Sequence, residues 1–275
     1  MNCIPLKQYG TTYKFKSKNK IKVAGIHGDI RVKGTSQIPC NCDYANANLL
    51  KKPDGYYLKV TCYINKDSLP KATTNGKEIG LDFGIKTNIT TSEGEKLDVS
   101  VEESERLKML QRKLQRQVKG SNNRYKTIKN IKREYLNLSN KKKDKANKIV
   151  HELKKYDCIV IQDEQIANLH NQKGMSKIVQ HSCMGLIKQK LKSLSKTIVL
   201  DKYIPTTKWC SKCHKLNELT LNDRTYVCEC GYQEDRDIHA AKNMLVIKNL
   251  IDSNNGILPT EYREVKREDY GESVR

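Results

Sequence analysis

The chain of 275 residues carries 52 Lys and Arg against 31 Asp and Glu, a formal net charge of +21, with ten cysteines and 14 tyrosines. That length can bury a real core, as one large domain with insertions or two small ones, and the charge excess suits polyanions, either nucleic acid or an anionic membrane surface. No stretch approaches the roughly 20 consecutive apolar residues of a membrane span, and the N-terminus lacks the apolar core of a secretory signal, so a soluble, intracellular protein, cytoplasmic or nucleic-acid associated, is expected.

Residues 1–77 mix short β-prone runs, Ile21 to Val23, Ile30 to Val32 and Tyr56 to Ile64, with Gly and Asn punctuation such as the Asp54-Gly55 turn. They read as a small antiparallel sheet or part of a barrel. Lys77 to Gly84, Asn88 to Ser92 and Glu95 to Val99 read as three short strands of a β-meander, with Asp82 inside the first. From Val101 to Asp157 the period changes to helical. Leu107, Leu110, Leu114 and Val118 form one stripe, Ile128, Ile131, Tyr135 and Leu138 another, and the Lys119-Gly-Ser-Asn-Asn123 break makes a hairpin. This segment holds 18 Lys and Arg against 7 acids, 18 − 7 = +11. A charge run is commonly a solvated helix face. An excess of one sign favours phosphate contact over that reading.

A strand, Cys158 to Glu164, is followed by a Gly- and Asn-containing connection, a helix from about Gln180 to Ser193, and a strand from Thr197 to Leu200. A cysteine knuckle spans 206–232, and a helix from Arg236 to about Leu250 carries Ile238, Ala241 and Leu245 on one side. The polar tail, 252–275, reads as disordered unless a partner orders it.

The chemistry concentrates in two places. Cys210-x-x-Cys213, then fourteen residues, then Cys228-x-Cys230 is close to four-thiolate zinc-ribbon spacing. Four thiolates close the coordination sphere of Zn²⁺, so such a metal is structural; His214 stands by as a substitute should Cys230 not reach. Unligated thiols are the bland alternative. Asp82 lies between Gly80 and Gly84 in an apolar strand, where a buried carboxylate is costly without a metal or cationic partner. Asp235 suits a helix cap; Asp237, one turn in, divides evenly between capping and metal binding. Glu164 sits at a strand end beside Gln162, on the same face by the period of two. Together, carboxylates holding two Mg²⁺ ions about 4 Å apart can activate a water and stabilise the leaving oxygen of a phosphodiester.

Gly80-Leu-Asp-Phe-Gly84, Ile159-Val-Ile-Gln-Asp-Glu164, Thr206-Thr-Lys208 and Asp235-Arg-Asp-Ile-His-Ala-Ala-Lys-Asn243 after the knuckle resemble the TnpB family, transposon-encoded RNA-guided DNA nucleases related to type V CRISPR effectors. The resemblance covers about residues 20–250. It implies an α/β, RuvC-like (RNase H-type) nuclease domain over 78–205 with the basic hairpin at 101–157. It further implies a zinc ribbon at 206–232, a final nuclease helix at 233–251 and a partial, wedge-like barrel at 1–77. The implied partners are a guide RNA and a target DNA, with base pairing supplying specificity. The implied catalytic acids are Asp82, Glu164 and Asp237, holding Mg²⁺, beside a structural Zn²⁺ on Cys210, Cys213, Cys228 and Cys230. In the simple register Gln162 occupies the middle acid's position and Glu164 lies two places later. The family usually carries a further N-terminal helical lobe, and His239 stands where it more often has Asn. A nuclease-dead, RNA-guided nucleic-acid-binding protein is therefore the alternative reading. A DNA-strand transferase is a third, without a Tyr or Ser nucleophile constellation to support it.

Overall fold

The computed structural model describes residues 3–65, 73–84, 88–163, 175–220 and 223–253. The tail expected to be disordered lies outside them, apart from Asp252 and Ser253. The chain divides into two compact units, one formed by 1–71 with 110–136 and the other by 72–109 with 137–275.

The first unit is built on two three-stranded antiparallel sheets. β1 (Cys3–Leu6), β5 (Asp43–Lys52) and β6 (Gly55–Tyr63) form one, in the order β1-β5-β6; β2 (Tyr13–Ser17), β3 (Lys20–Val23) and β4 (Ile30–Arg31) form the other. Leu6, Tyr13, Ile21, Val23 and Ala47 make their buried centre. Tyr9 stacks on Tyr44 at 4.6 Å between ring centres, so part of the tyrosine content is spent on packing.

The helical hairpin is α1 (Glu105–Gln115) and α2 (Asn122–Leu153), turning through Gly120 at φ 86°. Arg124 donates to the carbonyls of Leu114 and Gln117, at 2.6 and 3.2 Å, and so satisfies acceptors at the end of α1. The stripe predicted through Val118 stops short: Val118 lies past the end of α1 and is 77% exposed.

The second unit is organised around one five-stranded sheet. β7 (Glu78–Phe83), β8 (Asn88–Thr91) and β9 (Lys96–Asp98) form the predicted antiparallel meander. β10 (Cys158–Gln162) and β11 (Thr197–Leu200) add in parallel on the other side, giving the order β11-β10-β7-β8-β9. The period of two divides its side chains cleanly. Ile79, Leu81, Phe83, Ile159 and Ile161 face one way, onto α2 (Ala146, Ile149, Val150, Leu153) and onto Met184, Ile187 and Leu191. Gly80, Asp82, Val160 and Gln162 alternate with them and face the other way.

The helix predicted from Gln180 to Ser193 is α4 (Met184–Lys192), and a separate short helix, α3 (Met175–Gln180), precedes it in what reads as a connection. The break has a backbone cause. His181 accepts from the Val101 N–H, and the Cys183 N–H donates to Val99 at 2.9 Å, so the segment pairs with the chain leaving β9 instead of continuing a helix. Beyond β11 a small hairpin, β12 (Thr225–Val227) and β13 (Gln233–Asp235), runs straight into α5 (Arg236–Asp252). No described helix is long and apolar enough to cross a membrane.

Candidate functional site

Close packing of α5 on β7 decides where the acidic residues fall. A Cβ on Gly80 would meet the Ala241 carbonyl oxygen at 2.0 Å, so only glycine lets the helix lie this near the strand. Leu245 sits against the same point, Lys248 pairs with Glu78 at 2.7 Å, and Ile238 lies against Gly94. The helix therefore runs antiparallel to β7. Moving from Gly80 to Asp82 advances about 6.6 Å along the strand; moving back from Ala241 to Asp237 advances about 6 Å along the helix in the same direction. Asp82 and Asp237 thus arrive at one end of one face of the sheet. Asp82 is 9% exposed. It is flanked by Thr90 on β8, its partner in register, and by Gln162, the next residue after the Ile161–Leu81 pair on β10.

Asp237 occupies the first turn of α5, its carboxylate 3.3 Å from the Arg236 guanidinium. Asp235 is the cap, as its position suggests: its carboxylate accepts from the N–H groups of Asp237 and Ile238 at 2.9 and 3.3 Å and pairs with Lys96 at 3.0 Å. Burial works against that charge, but Lys96 and the two N–H groups hold the Asp235 carboxyl below the usual range. With Asp235 satisfying those N–H groups, Asp237 is not needed as the cap.

Gln162 does sit beside Asp82, and its amide is committed elsewhere. Its Nε2 donates toward the carbonyls of Asp201, Lys202 and Ile204, at 3.1, 3.2 and 2.7 Å, and its Oε1 accepts from the Thr206 hydroxyl at 3.1 Å. A carboxylate here would face three carbonyl oxygens. Asp163, one residue on, pairs with Lys192, whose ammonium holds the carboxyl below its ordinary value. Glu164 lies outside the described residues.

The four predicted cysteines converge. The sulfurs of Cys210 and Cys230 are 3.7 Å apart, those of Cys213 and Cys228 3.5 Å, and all four lie within 4.8 Å of one another. A tetrahedron with Zn–S bonds of about 2.3 Å has edges of about 3.8 Å, whereas a disulfide would need about 2.05 Å. The cluster therefore fits one zinc ion, held by residues that enclose it. Cys230 reaches the set despite the shortened spacing, and the His214 ring lies tilted beside Trp209, with centres 5.2 Å apart. The thiols differ in acidity. The Cys228 thiol is lowered to about 6, led by the hydrogen bond from the Cys230 backbone N–H. At Cys213 the Lys215 N–H pulls downward, but burial and the neighbouring thiols push it up to about 12.

Lys188 and Asn243 escaped the sequence reading of the site, and His239 entered it only as a variant within the last motif. Lys188 on α4 is 5% exposed, with its ammonium 5.3 Å from the Phe83 ring centre. His239 and Asn243 are fully buried in α5. Their signal was available: two polar residues spaced i, i+4 among apolar neighbours of a helix facing a sheet mark a buried polar contact.

Two family models match the chain in tandem. OrfB_IS605, described as "Probable transposase", covers residues 59–173, and "Cas12f1-like, TNB domain" covers 183–244. A Streptomyces pristinaespiralis protein named "Putative RNA-guided DNA endonuclease" is 27% identical over 201 residues, 69% of this chain and 49% of the relative. The chain thus spans about half the length of that curated relative. The first model runs through the strands bearing Asp82 and Gln162, and the second through the cysteine cluster and Asp237, so the matches cover the described parts of both candidate centres. Taken with the motifs on β7, β10 and α5, they support a protein of the TnpB family.

Proposed function

We propose that the protein is an RNA-guided DNA endonuclease of the TnpB type, hydrolysing phosphodiesters at the Asp82–Asp237 end of the sheet. The observation that carries this reading is the packing of α5 antiparallel on β7, which supports Asp82 and Asp237 lying toward the same end of the sheet. The strand order, a three-stranded meander extended by two parallel strands, supports a RuvC-like, RNase H-type unit over 78–205 and 233–251, with the zinc ribbon at 206–232 inserted in it. Glu164, two residues beyond Gln162, is the proposed third acid.

Mg²⁺ suits this oxygen donor set and supplies Lewis-acid stabilisation of the scissile phosphate when bound. Asp82, set in a strand and flanked by Thr90 and Gln162, and Asp237, beside the Asp235 cap, would supply carboxylate oxygens to the ion. The four cysteines hold a structural Zn²⁺. Residues 101–157, with their charge of 18 − 7 = +11, grip guide-RNA phosphates, and the target DNA is read by pairing with that guide. One observation favours a second reading, a nuclease-dead RNA-guided binder: the residue beside Asp82 on β10 is a committed amide.

The deciding experiment purifies the chain, sequences the RNA that accompanies it, and programs that RNA against a plasmid target in Mg²⁺. Guide-dependent cutting establishes the endonuclease. Guide-dependent binding without cutting establishes the binder, and the absence of any bound RNA contradicts both.

A further inference from the structure

The polar groups around Gln162 do not end at the loop it holds. Thr206, whose hydroxyl bonds Gln162, has its carbonyl bonded by Asn243 Nδ2 at 2.7 Å; the same amide donates to the Trp209 carbonyl at 2.7 Å. With both Asn243 hydrogens committed, the 2.9 Å contact between His239 Nε2 and the Trp209 carbonyl assigns the proton to Nε2. Burial pushes the His239 pKa down, in keeping with a neutral ring. That ring stacks on Tyr226 with centres 3.7 Å apart and planes 18° apart. Tyr226 is packed with Cys210 and Cys228, and Trp209 directly precedes Cys210.

One buried chain of contacts therefore runs from β10 beside Asp82, through residues 201–209, to the cysteine cluster and into the helix that bears Asp237. The knuckle also meets that helix covalently, since β13 ends on Asp235, the cap of α5. Displacing the knuckle moves the cap, the first turn and the loop held by Gln162 together.

We propose that Gln162, Thr206, His239 and Asn243 are positioning residues that couple the two metal centres. Closing the four thiolates around zinc sets the first turn of α5 against β7, and so raises the affinity of the Asp82–Asp237 pair for a divalent cation. The coupling is reciprocal, as binding linkage requires. The inference rests on the reading of Asp82 and Asp237 as a cation site. It also gives Gln162 a purpose of its own: an NH₂ group is the donor that three converging carbonyls need.

The test uses the full chain loaded with zinc and two readouts, Mn²⁺ affinity by electron paramagnetic resonance and zinc loss to a chelator without Mn²⁺. Four variants are compared with the parent: Thr206→Val, which removes one hydroxyl, Gln162→Leu, Asp82→Asn, and Val150→Ala on the opposite face of the sheet. Coupling predicts that Gln162→Leu weakens Mn²⁺ binding about tenfold and speeds zinc loss, with Thr206→Val smaller in the same direction in both readouts. Asp82→Asn abolishes Mn²⁺ binding, and Val150→Ala lowers the melting temperature while leaving Mn²⁺ affinity in place. The coupling is overturned if Gln162→Leu and Thr206→Val change only one readout or neither, or if Val150→Ala weakens Mn²⁺ binding as much as they do. Unchanged Mn²⁺ affinity in Asp82→Asn overturns the cation site itself. Should Gln162→Leu fail to fold, Thr206→Val decides.

Discussion

The cysteine cluster and the carboxylate end of the sheet are built on opposite plans. Cys210, Cys213, Cys228 and Cys230 come from a stretch of 21 residues, and their sulfurs gather through local turns and one short hairpin. Asp82 and Asp237 are separated by more than half the chain, and what draws them toward the same end of the sheet is a strand and a helix packed at the distance Gly80 allows. The local centre is specified by spacing and saturates its metal. The distant one, the proposed catalytic centre, is specified by tertiary packing. Sensitivity follows from the plan. The first centre breaks when a ligand is lost, the second also when the helix is displaced.

The largest expected effect is at the cysteines. Structural zinc in small knuckles contributes about 10–16 kcal/mol to folding, so Cys213→Ser should lower bound zinc from about one ion per chain toward none. Trp209, the lone tryptophan and 1% exposed, precedes Cys210, so its fluorescence should shift to the red as the knuckle opens. A Cys213→Ser protein retaining its zinc and a blue Trp209 emission would contradict the ligand set.

Next come the acids. On the proposed function, Asp82→Ala and Asp237→Ala should each cost several kcal/mol of transition-state stabilisation, about a thousandfold or more in cleavage rate. Guide RNA retention should be unchanged, as measured by RNA recovery on purification. Persistent cutting by either variant would dismantle the comparison, because the distant centre would then not be the catalytic one.

Gly80→Ala probes the packing without touching an acid. Its new methyl group confronts a backbone carbonyl at 2.0 Å, so α5 must move, at a cost of about 1–3 kcal/mol or more. Cleavage should fall further than stability alone explains, since Asp237 travels with the helix. Gly185→Ala in α4 meets nothing within 4 Å and serves as the contrast, stabilising by about 0.5–1 kcal/mol. Thermal melts beside cleavage rates separate the two.

The smallest effect concerns Asp98 on β9, bound by Lys145 at 2.7 Å. Burial raises its pKa, but the Lys145 ammonium and the Ser100 N–H bring it to about 2. The folded value lies below the unfolded one of about 3.9, so the pair's stabilisation is fully present above about pH 4 and is lost as pH falls through about 2. Because the carboxylate is 60% exposed, screening holds the gain below about 1 kcal/mol. Denaturant titrations should find Asp98→Asn less stable at neutral pH and level with the parent near pH 2.

Much of this was legible in the sequence where the signal is local. The meander of β7 to β9, the hairpin break at Gly120, the Asp235 cap and the four-cysteine cluster all follow from turn chemistry, spacing or capping rules. The break before α4 was not, because it depends on Val99 and Val101 capturing the backbone of 181–183 from a distant strand end. Gln162 shows the same limit. Its sequence position marked it as a missing acid, and only the three carbonyls arriving from residues 201–204 reveal why an amide stands there.

The central claim is that Asp82 and Asp237 jointly bind a divalent cation. Anomalous scattering from crystals soaked in Mn²⁺ tests it most directly. One or two Mn²⁺ peaks are expected, with oxygens of both Asp82 and Asp237 as ligands. Mn²⁺ bound elsewhere on the chain, with neither carboxylate coordinating it, would contradict it.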